Sequence, residues 1–270
     1  MKESEPELLE GGRRLQGTRQ NNNGYPLVSV VTVVFNMRDS LANTIASVSG
    51  QTYPNIEYVV IDGGSTDGSL EVIRESEALI DYWQSAPDRG IYNAMNKAID
   101  LVTGEWVLFM NAGDWFWSED SIASMFSGSG HHELDVLFGD HEVRYSDGRK
   151  RLVKAGDVRD IWKGARFCHQ SAFVRRELQA RKFREDLKIV ADYEFFYRAW
   201  LDGYRFGHRD IVVASYEAGG VSDRKRLTST IERWSVVKGG LRVHTYYGWR
   251  LVIEALKMVV KKGVGKFGQR

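Results

Sequence analysis

From residue 27 onward the apolar positions fall into runs with a clear rhythm. Residues 28–35 form a near-continuous β-branched run, the pattern of a strand buried on both faces. A helix is predicted over 39–49, where Leu41, Thr44, Ile45 and Val48 recur at helical spacing. Residues 56–61 read as a second buried strand ending at Asp62-Gly63-Gly64-Ser65, and a helix over 67–76 follows with Ser65 or Thr66 as its N-cap. A short strand over 79–84, a helix over 90–101 and a strand over 106–110 continue the series. Strand and helix alternating at this pace predict βαβ units and a parallel sheet, which binds ligands beyond the carboxyl ends of its strands. After about residue 130 the rhythm changes. Residues 136–138 and 142–145 are strand-like, Asp147-Gly148 is a hairpin turn leading into 151–153, and 190–201 reads as a helix. Residues 205–216 hold one or two strands, and the last fifty residues read as helices.

Composition places this 270-residue chain among ordinary globular proteins, at 43% hydrophobic and 27% charged residues. The net charge of +1 hides an asymmetry: residues 221–270 carry twelve Lys/Arg against three Asp/Glu, so an acidic body bears a basic end suited to an anionic surface. No nucleic-acid partner is expected. The single cysteine, Cys168, excludes an intramolecular disulfide and fits a reducing cytoplasm. Residues 1–25 are polar and read as a disordered leader, with no signal-peptide pattern. No run of about eighteen apolar residues occurs that could cross a membrane.

Polar chemistry collects where the predicted strands end. Asn36 follows the first, Asp62 with two glycines the second, Asp88-Arg89-Gly90 the third, and Asn111-Ala112-Gly113-Asp114 the fourth. Asp62 could accept hydrogen bonds from a nucleobase or ribose, or it could simply shape a turn. A dinucleotide-binding reading fails, because Phe35-Asn36-Met37-Arg38 stands where the glycine-rich fingerprint belongs. Neither a phosphate loop with its Gly-Lys-Ser/Thr nor a Cys/His metal-ligand spacing occurs.

The segments Val30-Val31-Thr32-Val33-Val34-Phe35-Asn36, Gln51-Thr52-Tyr53-Pro54 and Ile61-Asp62-Gly63-Gly64-Ser65-Thr66-Asp67-Gly68 resemble family-2 glycosyltransferases. Pro87-Asp88-Arg89-Gly90-Ile91-Tyr92-Asn93-Ala94-Met95-Asn96-Lys97, Met110-Asn111-Ala112-Gly113-Asp114, His169-Gln170, Ala191-Asp192-Tyr193-Glu194 and Gly219-Gly220-Val221-Ser222 narrow the resemblance to the colanic-acid and exopolysaccharide branch. The resemblance covers residues 27–222. It implies an α/β GT-A catalytic domain over 26–222, a mixed, mostly parallel sheet flanked by helices, and leaves 223–270 as a basic helical extension. It further implies inverting transfer of a sugar from a uridine-linked nucleoside diphosphate to a surface glycan or a glycan on polyprenyl diphosphate. Val34, Asn36, Asp62, Asp88, Arg89, Asn96, Lys97 and Asn111 would lie on the donor side. His169, Gln170 and Trp115 would lie on the acceptor side, with Asp192 as general base.

The departure from the family lies at its Asp-x-Asp metal motif, where Asn111, Ala112 and Gly113 leave only the following Asp114 acidic. One carboxylate with phosphate oxygens and waters can hold Mg²⁺ or Mn²⁺, so Asp114 is the expected ligand, with Asn111 as a neutral helper. Asp192 also has a plainer reading as a helix N-cap, and Trp115, Phe116 and Trp117 as core packing. The eroded motif keeps open a non-catalytic nucleotide-sugar-binding relative. A nucleotidyltransferase is disfavoured by the missing phosphate loop. Near the C-terminus Trp249, Val252, Ile253, Leu256, Val259 and Val260 recur at helical spacing, with Arg250, Glu254, Lys257 and Lys261 on the other face and Lys262 and Lys266 beyond. That helix would either pack on the body or lie in an anionic bilayer, which would make the enzyme cytoplasmic and peripheral at the inner membrane face.

Overall fold

The computed structural model describes residues 8–17, 24–220 and 224–267, the stretch 259–267 by backbone alone. Its centre is four adjacent parallel strands: β2 (Val28–Val34), β3 (Ile56–Asp62), β4 (Tyr82–Ser85) and β5 (Trp106–Phe109), in the order β4-β3-β2-β5. All seven residues of β2 are buried, as its β-branched run predicts. The strand's period of two divides its side chains between two cores. Val28, Val30 and Val34 pack with Leu41, Ile45 and Val48 of helix α1 (Arg38–Ser49) and with Ile73 of α2 (Ser69–Glu75). Val31 and Val33 pack with Met95, Ala98 and Ile99 of α3 (Ile91–Leu101).

The rest of the sheet is mixed. Beyond β5 come β9 (Ala172–Arg175), antiparallel to both neighbours, then β7 (Val136–Arg144), β10 (Phe206–Glu217) parallel to it, and the short β6 (Trp115–Phe116). The turn at Asp147-Gly148 joins β7 to the antiparallel β8 (Lys150–Val153). Helices α4 (Ser121–Met125) and α5 (Arg176–Gln179) are short, and α6 (Ala191–Leu201) packs on the second core. An α/β, mostly parallel sheet between helices is thus what the chain forms.

Several boundaries differ from the sequence pattern. Helix α2 starts at Ser69 because the Asp67 carboxylate accepts from the Ser69 amide and hydroxyl, and Gly68 turns the chain at φ 97°. Strand β7 is one nine-residue strand, its apolar pattern interrupted by Gly139, where a Cβ would meet the Ile211 carbonyl at 2.5 Å.

Part of the expected leader is ordered. Leu9–Gly11 forms β1, antiparallel to β4 at the sheet edge, and Arg14 reaches the buried Glu57 at 2.6 Å. Residues 1–7 and 18–23 lie outside the described residues. At the other end, α7 (Arg226–Val236) and α8 (Leu241–Phe267) follow, and Val237, Val243 and Tyr247 enter the same core as α6. Residues 224–247 therefore share their hydrophobic core with the segment before them.

Candidate active site

The carboxyl ends of β4, β3, β2 and β5 lie side by side, and the connection reverses direction between β2 and β5, the place where such sheets bind ligands. At the end of β2, Phe35 is 60% exposed, and Asn36 adopts φ 52°, with its Oδ1 accepting from the Thr66 amide at 2.9 Å. Val34 itself is buried, and its carbonyl accepts from the Gly63 amide at 2.9 Å.

Asp62 is fully buried, and its carboxylate is consumed by its own turn. It accepts from the Gly64 and Ser65 amides at 3.2 and 3.0 Å and from the Ser65 and Ser85 hydroxyls at 2.5 Å each. What the turn presents instead is Gly63, where an added Cβ would stand 2.4 Å from Asp88 Oδ2 and 3.3 Å from the Phe35 ring. Phe35, Gly63 and Asp88 thus line one niche. Asp88 Oδ1 accepts from the Gly90 amide at 2.7 Å, capping the loop that leads into α3.

On α3 the predicted donor residues divide. Arg89, with 77% of its side chain exposed, pairs with Glu185 at 2.8 Å, and Lys97 donates to the Pro87 carbonyl at 3.0 Å. Asn96 points inward: its amide donates to the Phe183 carbonyl at 2.9 Å, and its Oδ1 accepts from the Phe183 amide at 2.8 Å. Glu185 also accepts from Asn93 and Asn96, at 3.1 and 3.2 Å. Asn96 and Glu185 therefore tie α3 to the chain that leads into α6. Sequence spacing gives no sign of Glu185.

The second half of the site hangs from α6. Asp192 lies in the first turn of this helix, whose N-cap residue is Val190, so its carboxylate is not a cap. It points instead to His169 Nδ1 at 3.1 Å and to the Tyr92 hydroxyl at 3.0 Å, the latter also 2.8 Å from the Ile189 carbonyl. Asn111 Nδ2 donates to His169 Nε2 at 3.1 Å, which makes the imidazole an Nδ1–H donor toward Asp192. A chain of contacts thus runs from Tyr92 through Asp192 and His169 to Asn111, whose buried Oδ1 has no partner among the described residues. Burial pushes the Asp192 carboxyl up, but His169, the Tyr193 amide and Tyr92 outweigh it and hold the group below the usual carboxylate range. Its side chain keeps 26% exposure, and it borders a small open pocket with Ala165, Arg166, Phe167 and Phe196. Glu194 turns away, toward Arg198 at 3.5 Å.

Gln170, adjacent to His169, donates to Asp114 Oδ2 at 2.7 Å. Burial pushes the Asp114 carboxyl up to about 6, and Gln170, His169, the Glu217 amide and Arg144 offset this only in part. A buried carboxylate with too little positive charge around it is suited to a cation, and its hard oxygens suit Mg²⁺ or Mn²⁺. Among the described residues no group of three or more His, Cys, Asp or Glu could hold a metal, so remaining ligands would come from a bound diphosphate and water. Arg144, which no sequence motif flags, donates to the Gly113 carbonyl at 2.8 Å and lies over the Trp115 ring at 3.1 Å from its centroid. That contact covers one face of Trp115. Phe116 is core, and Trp117 is exposed.

Residues 29–200 match the family Glycosyl transferase family 2. The chain is 30% identical over 256 residues to the PGL/p-HBAD biosynthesis glycosyltransferase of Mycobacterium bovis, covering 83% of this chain and 98% of that relative. In fold it is similar to S. aureus TarS 1-349 in complex with UDP-GlcNAc, with TM-score 0.63, 20% identity and 78% of this chain aligned to 64% of that one. It is equally similar to the mannosyltransferase PcManGT from Pyrobaculum calidifontis in complex with GDP-Man and Mn²⁺, with TM-score 0.63, 19% identity, and 88% and 76% of the two chains covered. On this extended match in sequence, with the fold shared with these solved structures, the chain belongs to glycosyl transferase family 2 and is a glycosyltransferase of the GT-A fold.

Proposed function

We propose that this enzyme transfers a sugar with inversion from a uridine diphosphate sugar to a hydroxyl of a surface-polysaccharide glycan carried on a lipid. The observation that carries the reading is the Asp192 carboxylate, partly exposed, held by two neighbours and kept ionised at neutral pH. An alcohol is a weak nucleophile, and a positioned base contributes about 10²- to 10⁴-fold. In the proposed step the acceptor oxygen forms the new bond to the anomeric carbon as the bond to the diphosphate oxygen breaks on the opposite face. The acceptor proton passes to Asp192, and the electron pair of the broken bond leaves on the diphosphate.

Phe35 offers a face for the base, with Asp88 beside it across Gly63, while Asp62 acts through the turn that it holds. Arg89 stands exposed at the rim, where a diphosphate would draw it from Glu185. Asp114 would hold a divalent cation, which would neutralise charge developing on the leaving group. Arg166 and Phe167 border the acceptor side beside Asp192. A glycan on polyprenyl diphosphate as acceptor would place the reaction at the inner face of the cytoplasmic membrane.

The test is Asp192→Asn, which keeps the shape and removes the base. UDP binding, measured by calorimetry with and without Mn²⁺, should stay near wild type, while transfer falls at least about 10²-fold. Wild-type turnover by the variant would remove Asp192 from the mechanism. A wild-type chain that binds nucleotide sugars but transfers none to any glycan acceptor would instead be a binding relative.

A further inference from the structure

Helix α8 carries two apolar faces, and the body covers only one. At 100° per residue, Val243 and Tyr247 lie on one side together with the buried Glu254. This side meets the body: Tyr246 and Tyr247 donate to the carbonyls of Lys163 and Trp162, and the Tyr247 ring stacks with Trp234 of α7. Leu241, Trp249, Val252 and Leu256 fall about 180° away, and all are exposed, Trp249 at 66% and Leu256 at 59%. An amphipathic helix ordinarily turns its apolar stripe toward the core. Here the stripe faces solvent, and Arg250 and Lys257 flank the covered side.

We infer that this outward stripe of α8 is a docking face for an anionic lipid bilayer, with Trp249, Val252 and Leu256 entering the interface. The inference rests on the reading of a lipid-linked acceptor only for its purpose, since the geometry stands without it. Three observations select the occupant. The charge is complementary in sign: residues 221–270 carry twelve Lys/Arg and three Asp/Glu, and a segment with that excess is drawn to an anionic leaflet. Among the described residues no helix is long and apolar enough to cross a membrane, so the helix would lie along the surface. Finally, the stripe is narrow. From Leu241 to Leu256 it runs about 23 Å, and at one helix width it offers on the order of 200 Å², against about 800 Å² per partner in a stable dimer.

The experiment compares the full chain with a Trp249→Ser, Val252→Ser, Leu256→Ser variant in flotation with phosphatidylglycerol or phosphatidylcholine vesicles. The full chain should float with phosphatidylglycerol at low salt, less at high salt, and little with phosphatidylcholine. The variant, whose changed side chains touch solvent, should bind at least tenfold more weakly while retaining wild-type affinity for UDP. Equal flotation of the variant, or no flotation of the full chain, overturns the inference. So does a dimer in light scattering that the variant abolishes, because the face then belongs to a second copy. UDP binding and turnover are read separately, so a failure of the glycosyl-transfer reading is distinguishable from a failure here.

Discussion

The Asp192 carboxyl is held below its ordinary range by contacts that oppose its burial, and His169 is the largest of them. The sign of the consequence is fixed. A base with a depressed pKa is ionised at neutral pH and loses activity only when acid reaches that low value. Removing His169 leaves burial less opposed, so the pKa must rise. His169→Ala should therefore shift the acid limb of kcat/KM toward higher pH. An unmoved limb with only a lower plateau would mean that His169 acts on the acceptor and not through Asp192. The motif residues Asp192, His169 and Asn111 are each visible in the sequence, but their linkage is not. They come from α6, the turn before β9 and the end of β5, and only tertiary packing brings them within 3.1 Å.

Among the elements, α3 shows where sequence reading succeeds and where it stops. Its range, 91–101, lies within one residue of the periodicity-based expectation, because the buried positions of an amphipathic helix repeat in the sequence. The aim of each polar side chain does not. Asn96 sits in a segment that resembles a donor-binding stretch, yet both ends of its amide bond the Phe183 backbone. Removing that amide leaves a buried N–H and a buried C=O unpaired, each costing about 1–3 kcal/mol. Asn96→Ala should lower stability by roughly 2 kcal/mol or more while the folded protein retains its affinity for UDP. Unchanged stability with weakened nucleotide binding would return Asn96 to the donor site. Strand β1 was illegible for a different reason: three residues carry no period, and it exists because β4 offers an open edge.

At the scale of the whole molecule, the C-terminal helices join the catalytic body to its outward-facing stripe. Glu232 of α7 accepts from the backbone amides of Lys188 and Ile189, just before α6, and Tyr197 of α6 donates to the Lys238 carbonyl. These contacts hold the segment that carries Asp192, whereas the strand ends of the donor crevice lie on β2 to β5. A chain ending at residue 222 loses the burial of Val237, Val243 and Tyr247, worth about 1.5–3 kcal/mol for each large apolar side chain. At roughly 2–4 °C per kcal/mol for a protein of this size, Tm should fall by about 10 °C or more. Turnover should fall further than nucleotide affinity, because the Asp192 support is lost and the donor crevice is not. A chain ending at residue 258 keeps every one of these contacts and should melt with the full-length protein. Differential scanning calorimetry with UDP titration reads both quantities. A 222-residue chain that melts and turns over like the wild type would show the C-terminal helices to be dispensable to the catalytic body.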